Sequence, residues 1–230
     1  MKLPILDPST PKQDFPAIES ALIEPDGLLA VGGCLDSQRL INAYQHGIFP
    51  WYNPGEPILW WSPNPRLVLF PEKLNVSRSL KKTIRKNTFK LTFNHAFPQV
   101  MQYCAAPRDK ESGTWISEEM FVAYNQLHQQ GIAHSFEAWF DDELVGGLYG
   151  IAIGQVFFGE SMFHRKTDAS KVAFCCLVQQ LSKWGYQLID CQVHTNHLTS
   201  LGAEEIDRAD FSLLLQKYCS ASPSDQAWLI

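Results

Sequence analysis

The 230 residues contain no apolar run approaching the ~18–20 residues that a membrane-spanning helix requires. The opening Met1-Lys2-Leu3-Pro4-Ile5-Leu6-Asp7-Pro8 offers no apolar core of the kind a secretory signal carries, so a cytoplasmic protein is expected. Six cysteines are present, at 34, 104, 175, 176, 191 and 219, but no CxxC and no short-loop framework joins them. They read as reduced thiols. No GxxxxGK[ST] phosphate loop occurs, which leaves nucleotide hydrolysis without support, and no GxGxxG follows a predicted strand. The seven histidines form no HxxxH pair; only His194 and His197 stand close, and without a third ligand no metal is expected. Gly159-Glu160-Ser161-Met162 is not a GxSxG elbow.

What is present is an ordinary globular mixture, 45% hydrophobic and 19% charged, with seven Trp among 12% aromatics to build a core. The net charge of −5 disfavours a polyanionic partner until its distribution is considered. Residues 73–90 hold seven cations (Lys73, Arg78, Lys81, Lys82, Arg85, Lys86 and Lys90) and no acid, while the remaining 212 residues hold 12 cations against 24 acids. Such one-sided clustering makes a local positive field that a phosphate backbone feels despite the global sign. A solvated helix face is the other reading of the same charge run.

The first sixty residues are punctuated by Pro and Gly, with one helix predicted over 37–45 and a stop at Gly47. Gly47-Ile48-Phe49-Pro50-Trp51-Tyr52 and Trp60-Trp61-Ser62-Pro63 are too aromatic to lie in solvent. A small N-terminal lobe over 1–62 is expected, followed by a larger domain over 63–230. In the latter, 66–70 and 89–93 read as strands. Val76, Leu80 and Ile84 define an amphipathic helix capped by Asn75 or Ser77, and 97–104 is a further helix. Ser117 caps a helix over 118–130. Segments 134–140, 144–153 and 156–163 form a three-stranded meander joined by Asp141-Asp142 and Gly154-Gln155. Asp168 is placed as the cap of a helix over 169–184, before a strand at 188–193 and a last helix at 209–218. This is an α+β layout around one mixed sheet.

Meander, helix, strand and helix in that order resemble the GNAT-type acyltransferase fold of acetyl-CoA-dependent N-acetyltransferases. The loop His164-Arg165-Lys166-Thr167-Asp168-Ala169-Ser170 has no glycine, so a nest for the CoA pyrophosphate is hard to build there. An acyl donor of another kind is required, and the basic helix suggests one attached to RNA.

The chain is similar to the leucyl/phenylalanyl-tRNA–protein transferases along nearly its whole length. The matching runs are Glu24-Pro25-Asp26-Gly27-Leu28-Leu29-Ala30, Gly47-Ile48-Phe49-Pro50-Trp51, Leu59-Trp60-Trp61-Ser62-Pro63, Gly113-Thr114-Trp115-Ile116, Gly159-Glu160-Ser161-Met162-Phe163 and Leu188-Ile189-Asp190-Cys191-Gln192-Val193. The resemblance implies transfer of Leu or Phe from aminoacyl-tRNA to the α-amino group of proteins beginning with Arg or Lys, marking them for degradation. It requires no cofactor, because the aminoacyl ester is already activated. A monomer away from membranes is expected.

By resemblance, Asp190 acts through Gln192 on the attacking amine and Glu160 orients it; the two-residue spacing of Asp190 and Gln192 on a strand predicts a shared face. Tyr44, Tyr124, Leu148, Phe157, Phe174, Leu177 and Ile189 would line the pocket for the donor side chain, with Leu148 where the family pattern has Met. Trp51 and Trp115 would contact the terminal adenosine, and Arg78, Lys81, Lys82, Arg85 and Lys86 the acceptor stem through its phosphates. Two rival readings are a CoA-dependent N-acetyltransferase, disfavoured by the glycine-free loop, and an RNA-binding protein without catalysis, which has no need of Asp190 and Gln192.

Overall fold

The computed structural model describes residues 3–106 and 116–229. The Pro- and Gly-rich opening forms a small four-stranded sheet that the sequence pattern does not announce. Its strands are β1 (Ile5–Leu6), β2 (Leu28–Gly32), β3 (Phe49–Pro50) and β4 (Leu59–Trp61), in the order β1-β2-β4-β3. Strands of two to five residues are too short to show a period of two. Helix α1 (Ser37–Gln45) connects β2 to β3, and the Asp36 carboxylate caps it by accepting from the Gln38 N–H at 2.8 Å. Trp60 is fully buried, and its indole N–H donates to the Gly32 carbonyl at 2.8 Å, which satisfies the ring's one polar atom.

The remainder is one seven-stranded mixed sheet with strand order β11-β5-β10-β9-β8-β7-β6. It comprises β5 (Arg66–Leu69), β6 (Lys90–Phe93), β7 (Ala133–Phe140), β8 (Glu143–Ile153), β9 (Val156–His164), β10 (Leu188–Gln192) and β11 (Glu204–Ile206). The meander β7–β8–β9 lies within one residue of the segments and turns that the sequence places there. The α-helices that follow among the described residues are α2 (Arg78–Arg85), α3 (Phe97–Cys104), α4 (Glu118–Gln129), α5 (Ala169–Lys183), α6 (Asn196–Ser200) and α7 (Arg208–Tyr218). Successive strand side chains alternate faces, so the sheet divides two apolar clusters. Tyr149, Ile151 and Phe158 join α1, α3, α4 and Trp60 on one face, while Phe136, Leu148 and Phe157 join α5 and Leu80 of α2 on the other.

Local caps follow the sequence in two places and depart from it in one. Ser77 and Ser117 accept from the N–H groups of Leu80 and Met120, both at 3.2 Å. With Ser77 as the cap, Val76 lies outside α2. Asp168, by contrast, adopts a left-handed conformation (φ 65°) and makes no capping bond to α5; its carboxylate instead lies 3.7 Å from Lys171. Among the described residues no helix is long and apolar enough to cross a membrane.

Candidate active site

The site begins where a parallel strand pair comes apart. β10 pairs with β9 in the register Leu188↔Val156, Ile189↔Phe157 and Asp190↔Phe158, and the pairing goes no further. Each strand is irregular at that point. Across β8–β9 the register passes from Tyr149↔Ser161 to Gly150↔Gly159, leaving Glu160 as the extra residue of a bulge. Across β10–β5 it shifts between Asp190 and Gln192, and Gln192 takes φ +63°. Bulges re-aim side chains, and these two turn Glu160 and Gln192 towards one another: the Gln192 amide N–H donates to Glu160 Oε1 at 3.0 Å. The expectation that Asp190 and Gln192 share a strand face is therefore corrected, because a regular strand does not run through both.

A cavity of about 360 Å³ opens in the cleft. Leu148, Phe157, Phe174 and Ile189 supply apolar lining, and Glu160, Gln192, Thr195 and His197 supply polar lining. An apolar pocket with a few convergent polar groups is the usual form of a small-ligand site. Leu177 is buried in the same apolar cluster without lining the cavity.

Tyr44 and Tyr124 are fully buried and hold Glu160 rather than facing the cavity. The Tyr44 hydroxyl lies 2.8 Å from Glu160 Oε1, the Tyr124 hydroxyl lies 3.1 Å from Oε2, and the two hydroxyls are themselves in hydrogen-bond contact. Two phenols bring two protons to these three oxygen–oxygen contacts. The third is satisfied when the carboxyl carries a proton of its own. Burial likewise raises the Glu160 pKa from 4.5 to about 7, against the opposing bonds from Tyr44 and Tyr124. Burial, followed by the charge of Glu160, holds both phenols well above their ordinary range. Glu160 is thus a carboxyl poised to gain or lose a proton near neutrality, as proton transfer at an amine requires.

Asp190 is placed differently. It is fully buried and gripped by Arg66 in a two-pronged ion pair, Nε to Oδ1 at 2.8 Å and Nη2 to Oδ2 at 2.7 Å. Oδ1 also accepts the backbone N–H of Gln192 at 2.9 Å, so the carboxylate fixes the backbone of the bulge that aims Gln192. Arg66 further donates to the Gly47 carbonyl at 3.1 Å and lies over the rings of Phe49 and Phe211 at 4.8 and 4.7 Å. One guanidinium therefore ties β5, β10, α7 and the N-terminal sheet together. Sequence reasoning overlooked Arg66, whose only signal was a cation at the head of an otherwise apolar strand. It also overlooked Thr195, and it weighed His197 only as a metal ligand; both reach the cavity from the start of α6.

Trp51 is 50% exposed and packs against Trp61, with ring centroids 5.7 Å apart. Trp115 lies outside the described residues. Arg78, Lys81, Lys82, Arg85 and Lys86 are all exposed on α2 and its C-cap, and no ion pair engages them among the described residues. Lys73, counted in the same basic run, is paired with Glu204 at 2.5 Å. No group of three or more His, Cys, Asp or Glu comes together among the described residues as a metal set.

An apolar cleft closed on one side by a near-neutral carboxyl and an amide is suited to group transfer onto an amine. Comparison with known proteins gives that class a family. The leucyl/phenylalanyl-tRNA protein transferase model matches residues 68–216, and the model of that protein's N-terminal domain matches residues 33–64. Curated leucyl/phenylalanyl-tRNA–protein transferases are similar along nearly their full lengths. The one from Nitrosomonas eutropha is 61% identical over 93% of this chain and 92% of its own, and the one from Methylococcus capsulatus is 56% identical over 98% and 96%. The chain belongs to the leucyl/phenylalanyl-tRNA protein transferase family. Among solved structures, a GCN5-related N-acetyltransferase from Kribbella flavida overlaps 70% of this chain and 57% of its own at 14% identity and a TM-score of 0.34, too slight a likeness to argue from.

Proposed function

We propose that the protein transfers Leu or Phe from aminoacyl-tRNA to the α-amino group of proteins beginning with Arg or Lys, marking them for degradation. The observation that carries this reading is the apolar cavity of about 360 Å³ with Glu160 and Gln192 at its polar edge. Family membership supports the donor.

The donor's side chain enters among Leu148, Phe157, Phe174 and Ile189, which places its ester carbonyl beside Glu160 and Gln192. The acceptor's neutral amine attacks the carbonyl carbon, a C–N bond forms, and the tetrahedral intermediate collapses with loss of the terminal ribose hydroxyl. Glu160 takes the proton released by the amine, and its raised pKa lets it pass that proton to the departing ribose oxygen. Gln192 holds Glu160 in place. Asp190, already paired with Arg66, acts through Gln192 by fixing its backbone and is a positioning residue. Trp51 and Trp115 stack on the terminal adenosine, and Arg78, Lys81, Lys82, Arg85 and Lys86 meet the acceptor-stem phosphates. The N-terminal lobe over 1–62 thus shares donor binding with the domain over 63–230, in a monomer working in the cytoplasm.

The test is transfer of labelled Leu from Leu-tRNA to a short peptide beginning with Arg, without ATP or CoA. Incorporation that disappears when the peptide's N-terminus is acetylated is the expected result. No incorporation, with tRNA still bound at low salt, would reduce the protein to an RNA-binding module.

A further inference from the structure

Near the end of α7's trailing segment, the partly buried Trp228 packs beside a residue that lines the cavity, Phe157. Trp228 takes φ +61°, an uncommon conformation for a bulky residue. Its indole stacks on His134 at 3.9 Å between ring centroids with 7° between planes, and lies 4.8 Å from Trp184, 6.1 Å from Phe93 and 6.0 Å from Phe157. Its N–H donates to the Tyr186 hydroxyl at 2.8 Å. Burial pushes the His134 pKa down to about 3, so the indole stacks on a neutral imidazole at physiological pH. Two further bonds hold the segment down: Ser224 N–H donates to the Trp184 carbonyl at 2.8 Å, and the Gln155 side-chain amide donates to the Ser222 carbonyl at 2.9 Å.

Phe157 links this cluster to the site. Its ring lies over Gly150, where an added Cβ would fall 2.6 Å from the Phe157 Cζ and 2.2 Å from the Phe158 carbonyl oxygen. No other residue fits at 150 without displacing the ring or the strand. The Phe157 ring thus meets the bare backbone of β8 at its edge, has the indole of Trp228 6.0 Å away at 28° between planes, and lines the cavity. We infer that Trp228 is a specificity-determining residue: by backing Phe157 it fixes the depth of the pocket that receives the donor's side chain. It touches no substrate and acts through Phe157. The inference rests on the cavity being the acyl pocket of the proposed function.

The experiment compares kcat/KM for Phe-tRNA and Leu-tRNA in the wild type, Trp228→Ala and Trp228→Phe. Removing the indole lets Phe157 withdraw and deepens the pocket, so the Phe-to-Leu ratio should rise at least about fivefold in Trp228→Ala, about 1 kcal/mol and the lower end of what one methylene commands in an apolar pocket. Trp228→Phe keeps a ring behind Phe157 and should return the ratio most of the way. A protein destabilised without altered pocket depth would lose both donors equally. That outcome, or a rise of less than about fivefold (roughly 1 kcal/mol) in a variant that still transfers Leu, overturns the inference. If Trp228→Ala does not fold, the ratio in Trp228→Leu, which retains bulk but not the ring, decides the matter by the same criterion. A wild type that transfers neither amino acid overturns the proposed function and this inference with it.

Discussion

At Arg66 a single cation is 1% exposed and has two bonds to a carboxylate, a third to a backbone carbonyl, and two aromatic rings at 4.7 and 4.8 Å. On α2 and its cap, five cations stand in solvent with no carboxylate opposite any of them among the described residues. A buried ion must be fully paired, because desolvation costs several kcal/mol per charge. An exposed one is unconstrained, and its field extends about a Debye length into solution. The first arrangement fixes a geometry; the second leaves charge available to a partner. Their mutational signatures should therefore be opposite: stability at Arg66, salt-dependent binding at α2.

The largest effect is expected at Arg66. Arg66→Ala leaves Asp190 as an uncompensated buried charge, and breaking such a pair typically costs about 3–5 kcal/mol. For a chain of this size the melting temperature should fall by on the order of 10 °C. Replacing both partners with apolar residues, as in Arg66→Met with Asp190→Leu, should recover most of that loss. Thermal unfolding of the three proteins decides it. If the single variant melts within 2–3 °C (roughly 1 kcal/mol) of the wild type, the contrast between the buried and exposed cations fails.

Glu160 lies between the two extremes, buried enough to resist ionisation and close enough to the cavity to exchange a proton. Glu160→Gln keeps a partner for Tyr44, Tyr124 and Gln192 but removes the titration, and transfer should fall by roughly 10²–10³-fold, within the usual range for general acid–base catalysis. The wild-type rate should rise with pH through about 7, and that limb should vanish in the variant. Stability moves the other way. The folded value of about 7 exceeds the ordinary 4.5, so the folded chain holds the proton more tightly. The resulting stabilisation is complete below about 4.5 and is lost as pH rises through 7. Denaturant midpoints measured from pH 4 to 8 should show this slope in the wild type and lose it in Glu160→Gln.

These two regions were unequally legible in the sequence. The α2 cations were visible because a helix periodicity and a charge count are local quantities. So were the meander, the helix over 97–104, the cap at Ser117 and, as one of two candidates, the cap at Ser77, each set by neighbours a few residues away. Asp190 and Arg66 are 124 residues apart, and no local pattern could join them. The bulges at Glu160 and Gln192 also escaped detection, because a register shift is decided between strands rather than within one. The matching runs named Glu160, Asp190 and Gln192, but the period-two rule then aimed Asp190 and Gln192 wrongly. Asp168 was misassigned for a related reason: a favourable cap residue is of no use to the helix once its backbone turns left-handed.

The smallest effect should come from Lys73, and it tests the comparison most finely. Lys73 belongs to the same basic run as the α2 cations, yet it is paired with Glu204 across the surface. The triple variant Arg78→Ala, Lys82→Ala, Arg85→Ala should weaken tRNA binding about tenfold or more at moderate salt. It should also reduce the slope of log K against log salt by roughly two to three, since each phosphate contact contributes about 0.7–0.9. The melting temperature should change little, because exposed cations without partners contribute little to folding. Lys73→Ala should change the slope by less than about 0.5 on the same scale and cost no more than about 1 kcal/mol, as exposed pairs do. A Lys73 variant that reduced the slope as much as any one of the α2 cations would show that its pairing with Glu204 does not withhold it from RNA. Availability would then follow exposure alone, and the presence of a carboxylate partner would no longer separate these cations.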